Sequence, residues 1–124
     1  MKLKNITLIV LTVASLITGT ANKSEANNVV RKNRILASVS ISLIGFAYRE
    51  DYINRERFDD GLQTITNLHE RCKKYQDTCE ASSEKLEDFS ENMMDSLSYQ
   101  DIEEAKELAV SQEFISLVNQ LLGY

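Results

Sequence analysis

The chain has 124 residues, 43% of them hydrophobic and 27% charged, with a net charge of −5, no proline, no tryptophan, two cysteines and one histidine. This length fits one domain, and the acidic balance disfavours nucleic acid, whose phosphates need clustered Lys and Arg. With only four glycines and no proline, the chain lacks the punctuation of folds built from short strands, so an all-α domain is the expected class.

Met1-Lys2-Leu3-Lys4 makes a positive start, Ile6 to Gly19 is an apolar run, and Ser24-Glu25-Ala26 places small residues at a peptidase site. This is the pattern of a secretory signal over residues 1–26, with Ala21 as an alternative cut. The run falls short of the roughly 20 residues a spanning helix needs, which puts an uncleaved anchor second. Residues 27–124 are then one exported domain, periplasmic or secreted. In an oxidising setting an even pair of cysteines is expected to be bridged. Cys72 and Cys79 would stand about 10 Å apart on a continuous helix, beyond the roughly 7 Å that a disulfide spans. The chain must therefore turn between them, and the bridge staples a helical hairpin.

Ile35 to Tyr48 carries no charge and reads two ways. Val39, Ile41 and Leu43 alternate with serines as in a half-buried strand, while Leu36, Val39, Leu43 and Phe46 fall at helical spacing. A lone strand would leave its backbone without a sheet, so a central helix is expected. Ser38, Ser42 and Gly45 would give it a small-residue face. Asn54 suits an N-cap for a second helix whose apolar seam runs Phe58, Leu62, Ile65, Leu68, Cys72, Tyr75. Asp77 with Glu80 resembles a capping box for a third, with Leu86, Phe89, Met93 and Leu97 as its seam. Ser98 with Asp101 starts a fourth, and Ser111 caps a last segment closed by Gly123. The expectation is a bundle of four to five helices with one stapled hairpin.

Charge is uneven. Residues 27–75 hold nine Lys or Arg against six Asp or Glu, and residues 76–124 hold two against twelve. Arg31, Lys32, Arg34 and Arg49, Arg55, Arg57 form two basic groups, read as solvated helix ends, with peripheral membrane contact as the lesser role. Glu84, Glu87, Asp88, Glu91 and Asp95 would cover the outer face of the third helix. Phe114, Leu117 and Leu121 lie on a C-terminal segment with little charge, either a plug for the bundle or a docking patch. Self-association is a further expectation for the apolar first helix.

Chemistry is poorly represented. His69 is the only histidine, with no second group placed by sequence to activate it. A Cys72–His69 pair would lose its nucleophile to the bridge, and two cysteines with one histidine fall a ligand short of tetrahedral zinc. No catalytic residue, metal or cofactor is expected. Size, signal and stapled helices make the chain similar in kind to small exported bacterial proteins such as secretion pilotins, periplasmic immunity proteins and phage lysis regulators, a similarity that carries over no residues. The expected role is binding another protein, a toxin, hydrolase or secretion component. The first expectation is an inhibitor or immunity-type protein using the acidic face. The second is an envelope assembly accessory docking through the C-terminal helix. A small enzyme around His69 and Cys72 ranks third.

Overall fold

The computed structural model describes residues 28–124; the expected signal segment lies outside them. Among the described residues there are five α-helices and no strand. They are α1 (Asn28–Arg49), α2 (Arg55–Lys74), α3 (Cys79–Asp95), α4 (Tyr99–Val110) and α5 (Gln112–Leu121), with a 3-10 turn at Gln76–Thr78 between α2 and α3. No helix among them is long and apolar enough to cross a membrane.

The uncharged stretch 35–48 forms the C-terminal part of α1, and α2, α3 and α4 pack along the helix. Its alternating serines suit a buried helix because each hydroxyl donates to the carbonyl one turn back. Ser38 bonds to Arg34, Ser40 to Leu36 and Ser42 to Ser38, each at 2.9 Å. Those bonds remove the desolvation cost that unpartnered hydroxyls would carry. One side of α1 joins Met94, Ile102, Ala105 and Ala109, and another joins Ile65, Leu86, Val118 and Leu122. Toward α1, α3 presents Ser82, Ser83, Leu86, Ser90 and Met94, and Ser90 meets Ser40 at 2.9 Å between hydroxyls. These small side chains let the two helices approach closely.

Helix starts follow local chemistry. The Asn54 side chain accepts from the Arg57 N–H at 2.8 Å. Ser98 and Asp101 exchange two bonds of 3.0 Å in a full capping box. Ser111 Oγ accepts from the Phe114 N–H at 3.3 Å. The box expected from Asp77 and Glu80 does not form. Asp77 lies inside the 3-10 turn and Cys79 opens α3 directly, with its Cα 4.4 Å from that of Cys72. Thr78 takes the N-cap position and turns its hydroxyl back to the Arg71 and Tyr75 carbonyls, closing the end of α2 instead. The bridged cysteines are buried with Val30. Tyr75, expected on the α2 seam, leaves the helix in extended conformation and is 54% exposed.

Candidate functional site

Glu84, Asp88, Glu91 and Asp95 step by four, three and four along α3, opposite the buried Leu86, Ser90 and Met94, so they form one outward stripe. Among the described residues no Lys or Arg lies within 4.0 Å of Glu84, Asp88 or Glu91. Glu87 stands to one side of the stripe, where Lys32 Nζ approaches to 3.7 Å; both side chains are well exposed, so the pair adds little.

Beside this face, α2 and α3 diverge over α1 and leave a trough. Two hollows of about 620 and 320 Å³ share Ile53, Arg57, Phe89 and Met93. Ala47 and Ile44 of α1 form their floor. The sequence pattern assigned Phe89 and Met93 to the buried seam of α3, but both are only half-buried. Gly61 borders the smaller hollow. It sits mid-helix where a Cβ would meet Ile44 Cδ1 at 3.5 Å and Phe89 Cζ at 3.6 Å, so the glycine lets both side chains pack against the α2 backbone. A glycine within a long helical seam was the one signal of it.

The C-terminal helix is less free than its composition suggested. Phe114 turns inward, so close to α1 that a Cβ on Gly45 would stand 3.3 Å from its ring. Leu121 is half-buried against the core formed with Val118 and Leu122. Leu117 alone of the three faces solvent, at 48% exposure. The segment mainly plugs the bundle, because Phe114, Val118, Leu121 and Leu122 join the cluster that holds Leu36, Ile41 and Ile44 of α1 and Ile65 of α2.

A polar cluster ties the two ends of the described chain together. His69 is fully buried, with Nδ1 2.8 Å from Asn33 Oδ1 and Nε2 2.9 Å from the Tyr124 hydroxyl. Asn33 gives its Nδ2–H to Ser83 Oγ at 3.0 Å. Its Oδ1 is therefore the acceptor for His69, and we assign the proton to Nδ1, leaving Nε2 to accept from Tyr124. Burial, and after it the charges of Lys73 and Arg34, push the His69 pKa down to about 3, so the ring is neutral near pH 7. Arg34 was grouped with the solvated basic residues, yet it is 1% exposed. Its guanidinium stands 3.8 Å from the centroid of the Tyr124 ring and donates to Asn119 Oδ1 at 2.9 Å. Lys73 donates to the Leu122 carbonyl at 2.7 Å. These partners lie 36 to 85 residues away in sequence, which is why no local pattern revealed them.

His69 and Cys72 thus both lie out of solvent, with each ring nitrogen engaged and the sulfur in the bridge. Among the described residues no group of three or more His, Cys, Asp or Glu is placed to hold a metal ion. No protein-family model, curated protein or solved structure matches the chain.

Proposed function

We propose that the protein is an exported protein-binding module, an inhibitor or immunity-type protein that presents the acidic face of α3 to a cationic cleft on its partner. The observation that carries this reading is the stripe of exposed Glu84, Asp88 and Asp95 with half-buried Glu91 on the outer side of a helix whose inner side is packed against α1. Carboxylates so placed speed encounter with a basic surface and penalise wrong partners. The closed Cys72–Cys79 bridge supports a non-reducing setting, and export through the segment before residue 28 is the natural route to one. The second reading, an envelope assembly accessory, is supported by the exposed Leu117 on α5.

The test is affinity capture from envelope extract with the disulfide-bonded protein. It is compared with a variant carrying Glu84→Gln, Asp88→Asn, Glu91→Gln and Asp95→Asn, at about 0.05 M and about 0.5 M salt. A single basic hydrolase or toxin, retained at low salt and lost both at high salt and with the variant, is the expected result. Capture unchanged by salt and by the variant refutes the acidic-face reading. Loss on Leu117→Asp instead moves the role to the assembly accessory.

A further inference from the structure

We infer that α5 is an exchangeable helix: two copies of the chain pair by each seating its α5 in the groove that α5 fills on the other, with Ser111 as the hinge. The inference goes beyond the protein-binding reading above and does not depend on it.

Although α4 and α5 follow one another in the chain, they belong to different parts of the core. Ile102, Ala105 and Ala109 of α4 cluster with Leu43 and Phe46. Val118 and Leu122 cluster instead with Ile41 and Ile65. The polar anchors of the last segment also bypass α4. Asn119 is held by Arg34 of α1, and the Leu122 carbonyl and the Tyr124 hydroxyl are held by Lys73 and His69 of α2. The segment can thus leave as a unit while α4 stays seated. The surface it leaves fits the α5 of a second copy as closely as its own, because the two are identical in sequence. Exchange of an identical element is a low-cost route to a dimer.

The hinge is a single residue. Helix α4 ends at Val110 and α5 begins at Gln112, so only Ser111 breaks the helix. Its backbone is extended, with φ −70° and ψ 139°. Its hydroxyl clasps both helix ends, donating to the Leu108 carbonyl at 2.9 Å and accepting from the Phe114 N–H at 3.3 Å. No proline or glycine lies between Ser98 and Leu122. Turning ψ of Ser111 to the helical value therefore joins Tyr99 to Leu121 into one helix about 34 Å long. A helix advances about 100° per residue. In the joined helix Phe114, Val118 and Leu121 then lie about half a turn away from Ile102, Ala105 and Ala109. While α4 keeps its own seat, the apolar side of α5 faces away from its own bundle and is offered to another molecule. The reciprocal groove of a second copy covers it.

The test is the association state of the disulfide-bonded protein, refolded from urea at high protein concentration and followed by sedimentation on dilution. Two variants act on the hinge in opposite directions. Ser111→Ala removes the clasp and favours helix at that position. A cap is worth about fivefold in a helix equilibrium, and each dimer straightens two hinges, so this variant should dimerise about twenty-five-fold more tightly than the parent. Proline suits the first position of a helix and holds the residue before it extended. Gln112→Pro therefore locks Ser111 as it stands and should leave the protein monomeric. Isotope-filtered NMR on dimers mixed from labelled and unlabelled chains is expected to place Phe114 of one chain against Gly45 of the other, the contact that each chain makes within itself as a monomer. Where Gln112→Pro folds poorly, Ser111→Ala and the filtered spectrum decide. A parent and Ser111→Ala variant that both stay monomeric overturn the inference. So does a dimer that Ser111→Ala fails to tighten, one that a folded Gln112→Pro leaves intact, or one in which Phe114 meets Gly45 only within its own chain. The acidic stripe of α3 takes no part in the exchange, so none of these outcomes bears on the reading above.

Discussion

His69 should make stability depend on pH in a window where few other groups titrate. In the unfolded chain its ring takes a proton near its ordinary value of 6.5; in the folded protein burial holds the pKa down to about 3. Between those values the unfolded state binds one proton more than the folded state, so stability falls as pH falls. Each unit below pH 6.5 removes about 1.4 kcal/mol, and a descent to pH 4.5 removes about 2.7 kcal/mol. For a domain stabilised by roughly 5–15 kcal/mol in all, that is a large share. The perturbation is His69→Gln, whose amide keeps a donor and an acceptor and takes no proton. Urea unfolding followed by circular dichroism at about pH 7.5, 6.5, 5.5 and 4.5 gives ΔG for both proteins, and the carboxylates that begin to titrate at the lowest pH are common to both and cancel in the difference. The variant is expected to start lower by about 1–3 kcal/mol for imperfect geometry in a buried site. The decisive quantity is the difference in slope: below pH 6.5 the parent loses about 1.4 kcal/mol per unit more than the variant. Parallel curves for the two proteins would refute the neutral, doubly bonded His69.

Removing the bridge with Cys72→Ala and Cys79→Ala should cost about 2.5 kcal/mol by loop entropy, read as a lower denaturation midpoint, and reductant should lower the parent's midpoint by a similar amount. Two glycines should respond with opposite sign. Gly61→Ala places its Cβ at ordinary contact distance and should stabilise the protein by about 0.5–1 kcal/mol. Gly123→Ala should destabilise it by about 1–2 kcal/mol, because φ is +85° there and a Cβ would lie 2.8 Å from Lys73 Nζ; thermal unfolding of both variants checks the contrast. Ser98→Ala removes the hydroxyl of the α4 capping box and should cost about 1 kcal/mol in the same assay.

The helices were legible because their signals are local. Asn54, Ser98 and Ser111 cap through atoms three residues away, and the seam of α2 repeats at a fixed spacing. The alternation of serines in α1 was a real ambiguity, resolved by hydroxyls bonding within the same helix. The acidic stripe was legible too, since position on a helix fixes which side chains share a face. What the sequence hid depends on distant partners. Asn33 and Arg34 look like the polar start of a surface helix, and only His69, Ser83, Asn119 and Tyr124, arriving from elsewhere, make that position interior. The trough was hidden for a related reason. Helical spacing shows which side of α3 carries Phe89 and Met93, but how far they are buried depends on the distance and angle at which α2 packs, which no local pattern records.

The enclosure of α1 on several sides has a consequence for how freely the sequence can drift. From Leu36 to Ala47 nearly every position touches another helix, so a change in volume or polarity is felt by at least one neighbour. The outer positions of α2 and α3 bear no such constraint, and substitutions there stay within about half a kcal/mol. Tolerance should therefore be banded, with α1 nearly fixed and the rims of the trough open to change. A library of single substitutions scored for folding would show those bands. Such a division lets the surface change residue by residue while the helix that holds the protein together stays as it is.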